Sequence, residues 1–431
     1  LYGYSFLGDC VALYPVYALL FADTGLSTGQ ISTLFALWSL TGVLAEAPSG
    51  VLADAWSRRA LLRAGPLLTA AGFALWVLAP SFWSFAAGFV LWGLGGSFSS
   101  GALEALVHDE LERAGAVRTY PAVMGRARTA EVLGVVVSMA AAGPLLRAGG
   151  FALVGAASVA ACLLTAVAAH AMPEGLREPD ASGGDGVTGD GGTGDGVTAH
   201  GGTGDGGTAS GAAGERGSEE DGGTTSSGAG EWGSGEDGGA RVRLRRWPVG
   251  AVLLVPAVAG VWGALDEYTP LLIREAGAGD GEASWYLLVI WAGAAAGGLL
   301  AAPVERRFGP GSRGRGRGRR GLAVLLLASA GLLAAGAACG SPPGTAALVG
   351  AAFAGFQLAT VLADAALQAA IRGPGRATVT SVAGMGTDLA VIVTYAAYGV
   401  LSLSHGGTFA LLATAYAVPA ALLLLHRRSV R

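Results

Sequence analysis

Apolar runs long enough to cross a lipid bilayer recur along almost the whole chain: residues 4–22, 31–53, 61–79, 82–107, 122–146, 150–171, 248–272, 284–303, 321–339, 345–370, 377–401 and 408–425. A bilayer core of about 30 Å takes roughly 20 such residues per helix. Inside it a helix satisfies its own backbone groups without water. Composition agrees, with 52% of residues hydrophobic and only 13% charged, where ordinary globular domains carry roughly a quarter charged. The expectation is an all-α membrane protein with 12 transmembrane helices.

The arginines set an orientation, and every basic residue apart from histidine is an arginine. Alternate loops hold Arg58, Arg59, Arg63, Arg113, Arg118, Arg306, Arg307, the run from Arg313 to Arg320, Arg372 and Arg376, and the tail adds Arg427, Arg428 and Arg431. The opposite loops hold only Arg147 and Arg274. Cytoplasmic loops retain positive charge, so both termini and the central linker are expected in the cytoplasm, with the bilayer a bacterial cytoplasmic (inner) membrane. The Arg-Gly run from Arg313 reads as anchoring to anionic headgroups rather than as a nucleic-acid contact. The chain starts at Leu1, without Met and apolar almost at once, so a short N-terminal segment is expected to precede it. No basic region or small-residue cleavage site marks a signal peptide.

Between residues 172 and 247 the apolar pattern stops, and Gly-Gly-Thr-Gly-Asp-Gly recurs from Gly191 and Gly201. Such a tract cannot bury a core. Its period does not fit the calcium-binding nonapeptide, so it reads as a disordered cytoplasmic linker between residues 1–171 and 248–431. Cys10, Cys162 and Cys339 each lie in an apolar run, where a thiol behaves as a small hydrophobe.

The two flanking segments match each other. In the fourth run Ser97, Ser100, Glu104 and His108 fall at steps of three and four, on one helical face. In the tenth, Gln357, Thr360, Asp364 and Gln368 repeat the spacing, so an acid takes the equivalent place in each half. Gly125-Arg126-Ala127 opens the fifth run as Gly375-Arg376-Ala377 opens the eleventh, and Asp9 corresponds roughly to Asp266. Parallel repeats of this kind are one construction used by transporters, with the substrate site between the halves.

Between the second and third runs stands Glu46-Ala-Pro-Ser-Gly50-Val-Leu-Ala-Asp54-Ala-Trp-Ser-Arg58-Arg59. It is similar to the loop signature of the major facilitator superfamily, and Pro303-Val-Glu305-Arg306-Arg307-Phe308-Gly309 looks like its second, degenerate copy. The resemblance covers nearly the whole chain outside the linker. It implies two pseudo-symmetric six-helix bundles, the major facilitator fold, working by alternating access. Gly143-Pro144 resembles in part the Gly-Pro motif of antiporters, while Phe89 to Gly96 lacks the arginine that many proton-driven members carry there. The loop chemistry suggests a cytoplasmic gate in which Asp54 accepts from helix-end amides and Arg58 or Arg59 pairs with Asp109 or Glu112. That latch is expected to tie the halves together and favour the outward-open state.

An acid in mid-membrane costs roughly 2.5–3.5 kcal/mol, so each marks a cavity or a partner. Asp9, Glu104, Asp266, Asp364 and Asp388 are the candidates for a substrate and proton pathway, with Ser97, His108, Trp262, Gln357 and Gln368 beside them. Tyr14, Tyr17 and Trp38 offer an aromatic wall, and Pro270 a break in the seventh helix. Glu131, three residues from Arg128, reads as an internal ion pair. Nothing resembles a nucleotide-binding loop, a metal cluster or a nucleophile elbow, so no enzyme, cofactor or metal is expected. The reading is a secondary active transporter of a small organic solute, by proton-coupled efflux. Alternatives are an uptake permease for a sugar or other metabolite, and a non-transporting membrane receptor or scaffold. The expected partners are the solute, protons and the lipid bilayer, with no nucleic acid. Oligomeric state is open, and a monomer is compatible.

Overall fold

The computed structural model describes residues 1–55, 57–172, 249–308, 315–371, 376–401 and 403–425; the side chains of 46–55, 100, 101, 280, 307, 308, 315–317, 376 and 377 are not among the described ones. The proposed linker 172–247 therefore lies, apart from Met172, outside the described residues. Every regular element described is helical. They are α1 (Tyr2–Asp9), α2 (Tyr17–Asp23), α3 (Thr28–Ala55), α4 (Arg58–Leu78), α5 (Phe82–Arg113), α6 (Tyr120–His170), α7 (Val249–Asp266), α8 (Thr269–Glu275), α9 (Asp280–Phe308), α10 (Arg315–Ala337), α11 (Pro342–Ala370), α12 (Arg376–Leu401), α13 (His405–Ala413) and α14 (Ala417–Leu425).

These elements make twelve crossings. The α1/α2, α7/α8 and α13/α14 pairs are each one interrupted crossing, and α6 is two. Its 51 residues turn a corner at Gly149 and Gly150, where Gly150 takes φ 62° and ψ −163°, a backbone that only glycine adopts readily. Serine hydroxyls cap several helix starts: Ser57 accepts from the Ala60 amide, Ser81 from Ser84 and Ser404 from Gly407. Large apolar side chains stay on the outside, with Leu299 80% and Leu425 69% exposed. In water that arrangement would be costly; in lipid it is the solvent-matched surface.

In the first bundle α4 packs on α5 and α6, α1 on α6, and α3 on α5. In the second, α9 and α10 pack on α11, and α7 on α12 and α11. The bundles meet through α3 with α12, α6 with α9, and α2 with α8. A cluster of rings, among them Tyr17, Phe21, Phe35, Trp76 and Phe89, fills the first bundle near the α2–α3 turn.

The first helix of each bundle is broken at an equivalent point. α1 stops at Asp9, and α7 stops at Asp266. Broken helix inside a membrane must place its freed amides elsewhere. The Leu13 amide donates to the buried Ser158 hydroxyl at 3.0 Å, and the Thr269 hydroxyl donates to the Asp266 carbonyl at 2.6 Å. A further irregularity lies in α7. The Tyr416 hydroxyl accepts from the Trp262 amide at 2.9 Å and donates to the Val258 carbonyl at 3.2 Å. It stands where the helix would close its own i to i−4 bond, which bends a helix locally.

Candidate functional site

The break after Asp9 opens onto a cavity of 340 Å³ inside the first bundle, between α1, α4, α5 and α6. Arg128 is the hub of its charges. Its Nη1 donates to Glu131 Oε2 at 3.0 Å and its Nη2 lies 3.4 Å from Glu104 Oε1. Ser5 donates to the other Glu131 oxygen at 3.2 Å. The Asp9 carboxylate also lines the cavity, and among the described residues nothing hydrogen-bonds to it. Three carboxyls thus face one guanidinium. Opposite them, Tyr14 stacks on Trp92 with centroids 5.2 Å apart, and Trp92 stacks in turn on Trp38 at 4.6 Å. Gly134 of α6 lets α1 approach this closely: a Cβ there would lie 2.3 Å from the Phe6 carbonyl oxygen.

The cavity takes in Asp9 and Glu104, and its lining belongs wholly to the first bundle. Asp364, at the position in α11 equivalent to Glu104, is exposed and lies outside it. Ser97 donates back to the Gly93 carbonyl. In the second bundle, Asp266 Oδ1 is buried without a hydrogen-bond partner among the described residues. Trp262 Nε1 donates to Thr360 at 3.2 Å, and Gln368 donates to Thr380 at 3.1 Å, joining α11 to α12. Gln357 lies near Gly298 of α9, and Asp388 is half-buried on α12.

The bonds that close the molecule have no counterpart in the sequence reading, which named Tyr17 only for an aromatic wall and Arg147 and Arg274 only for orientation. Tyr17 of α2 donates to the Glu267 carboxylate across the bundles, and Tyr268 donates to Ser32 at 2.7 Å. Arg274 pairs with Asp23 at 2.5 Å, and Arg147 donates to the Gly281 carbonyl at 2.7 Å. Tyr268 stacks on Tyr398 at 3.6 Å while Phe35 meets Tyr268 and Tyr395. Glycines allow the contact. A Cβ on Gly143 would lie 2.4 Å from the Gly281 oxygen, and one on Gly399 2.9 Å from Ser32 Cβ. All these bonds lie at one end. The two arginines of the Arg-poor loops, Arg147 and Arg274, both belong to this seal. The available sequence signal for Glu267 was two adjacent acids, Asp266-Glu267, in an apolar run just before Pro270.

At the Arg-rich end, among the described residues, no hydrogen bond joins the bundles. Arg58 pairs with Asp109 and donates to the Ala105 carbonyl at 2.9 Å, both on α5 of its own bundle. In this state the pair braces α4 against α5 and does not tie the halves together. Arg59 is half-buried nearby; Glu46, Gly50 and Asp54 fall in α3 and Arg376 begins α12, but their side chains lie outside the described residues. Arg126 is exposed at the start of α6. His108, exposed, meets the Tyr120 ring edge-on, and its donor atoms lie within 4.8 Å of those of Asp109 and Glu112.

The sequence model of the Major Facilitator Superfamily matches residues 4–395. No curated protein matches the sequence. Among solved structures, a variant of the nucleoside transporter NupG superposes with a TM-score of 0.67 at 12% identity, covering 98% of each chain. A bacterial homologue of the iron transporter ferroportin, inward-facing, gives 0.61 at 12% identity over 98% of this chain and 95% of that one. A bacterial homologue of the human lysosomal transporter Spinster, inward-facing and occupied, gives 0.60 at 16% identity over 100% and 95%. At these identities the likeness is one of fold.

Proposed function

The chain belongs to the Major Facilitator Superfamily, and from that membership we propose that it exports a small organic solute across a bacterial cytoplasmic membrane by proton-coupled alternating access. The observation that carries the reading is the pairing of a sealed end with a charged cavity: Tyr17–Glu267, Tyr268–Ser32 and Arg274–Asp23 close the Arg-poor side, while Asp9, Glu104 and Glu131 surround Arg128 further in. With the Arg-rich loops and both termini in the cytoplasm, this is an inward-facing state.

In this reading residues 1–171 and 248–431 are the two rocking bundles, and 172–247 is the tether between them. The solute lies against Tyr14 and Trp92. Its binding competes with a proton for the carboxyl cluster, because each neutralises charge that Arg128 alone does not balance. Loss of solute to one side and protonation from the other fit one cycle. A positively charged or hydrogen-bond-donating solute with a flat apolar part suits this lining.

The test is flux in proteoliposomes carrying the full chain, with a pH gradient imposed in either direction. Export by antiport predicts that solute leaves the compartment that the gradient makes basic and that the Asp9→Asn variant loses gradient dependence. Accumulation in the same direction as proton flow would establish the uptake permease instead. Flux indifferent to the gradient would end the proton-coupled reading.

A further inference from the structure

On the outer face of the first bundle, away from the cavity, α4 and the last turns of α6 flank a groove of 490 Å³. Its walls are apolar and open to the bilayer: Leu67 is 48%, Leu163 46% and Val167 65% exposed. The small side chains of Ala60, Ala64 and Ala166 complete its lining. At the Arg-rich end of the same groove stands Arg63, whose Nη1 lies 3.3 Å from Nδ1 of His170. A guanidinium can only donate, so in this contact His170 accepts through Nδ1. Among the described residues no carboxylate pairs with Arg63, and none lines the groove. A positive charge with its remaining N–H donors free thus sits at one end of a hydrocarbon-lined channel.

The register makes the groove amphipathic along one direction. Leu67 follows Arg63 by four residues on α4, while Val167 and Leu163 precede His170 by three and seven on the antiparallel α6. Both rows therefore descend from the same interface, by about 6 Å on α4 and about 10 Å on α6. We propose that this groove is a binding site for an anionic phospholipid, with the phosphate on Arg63 and one acyl chain along Leu67, Leu163 and Val167. The choice of an anionic headgroup follows from charge complementarity: a choline or ethanolamine headgroup brings its own cation, and the groove offers it no acid. A phosphate held by a guanidinium forms a charge-assisted bidentate contact; phosphatidylcholine carries the same phosphate, and it is the added cation that the groove disfavours.

Native mass spectrometry of the delipidated full-length protein tests this with dioleoylphosphatidylglycerol, dioleoylphosphatidylcholine and inorganic phosphate as probes. The site predicts one phosphatidylglycerol retained at least about fivefold more tightly than phosphatidylcholine, which is about 1 kcal/mol. It also predicts that excess inorganic phosphate leaves that lipid in place. Arg63→Gln should bring the ratio near one, Arg63→Lys should keep part of it, and Ala64→Leu should expel both lipids by filling the groove. Unchanged melting temperature in lipid-free detergent separates lost binding from lost folding. Equal retention of the two lipids by the unaltered protein, an undiminished ratio in Arg63→Gln, or displacement by inorganic phosphate would each overturn the proposal. Should Arg63→Gln fail to fold, Arg63→Lys and Ala64→Leu read out the same headgroup and chain contributions.

Discussion

The two bundles begin with the same device and surround it differently. In each, the first helix stops at an aspartate, Asp9 in one and Asp266 in the other. Asp9 opens onto a cavity where Arg128 gathers two more acids. Asp266 is packed in, with one oxygen unpartnered among the described residues, and the next residue, Glu267, reaches across to Tyr17 of the opposite bundle. A repeated fold thus fixes where an acid stands but not what it does. Local partners decide that: the first bundle carries the charged cavity, and the second supplies Glu267, Tyr268 and Arg274 to the contacts between the bundles.

Five substitutions would break or sharpen this contrast. Asp9→Asn should have the largest effect, lowering proteoliposome flux at least about tenfold and solute affinity with it, whereas Asp266→Asn should leave affinity within about threefold, a difference of less than 1 kcal/mol. Equal affinity losses in calorimetric titrations would erase the distinction between the halves. Gly143→Leu comes next, because the added side chain has no room against Gly281 and Ser284. Overpacking costs about 1–3 kcal/mol, enough to push the population toward opening of the sealed end by roughly five- to a hundredfold, read as faster thiol labelling of a cysteine placed at Ser32. Glu267→Gln keeps a neutral hydrogen bond to Tyr17 and should shift the same labelling by about fivefold, for a loss near 1 kcal/mol. Asp23→Asn should matter least. Its bond to Arg274 is partly exposed, 40% and 29% on the two side chains, and such pairs contribute about 0–1 kcal/mol. Raising salt should erase what difference there is.

What the sequence made legible was whatever depends on short stretches. Hydropathy is local, so the twelve crossings could be read directly, including two in what the structure draws as the single element α6. The Arg asymmetry needed only counting. The Arg128–Glu131 pair was readable from a three-residue spacing, but its extension to Glu104 joins α6 to α5 across 24 residues and could not be seen that way. The seal was wholly hidden. Tyr17 and Glu267 are 250 residues apart, and nothing in the sequence pairs them until the bundles are side by side. The correspondence of Asp9 with Asp266, approximate in the sequence, becomes definite because each is the last residue of its helical segment. The expected Arg58–Asp109 pair forms, and it joins α4 to α5 within one bundle.

One consequence follows from α6. Arg128 and Glu131 at the cavity, and Gly143 and Arg147 at the seal, stand on one continuous helix. The fifteen residues from Arg128 to Gly143 make a stiff arm of about 22 Å. A tilt of about five degrees at its cavity end carries the far end through about 2 Å, at a contact so close that a Cβ on Gly143 would lie 2.4 Å from the Gly281 oxygen. An occupant of the cavity need send no message through loops or solvent to be felt at the opposite face. It has its hand on a lever, and the crossing beyond the Gly149–Gly150 corner is bolted to the same bar.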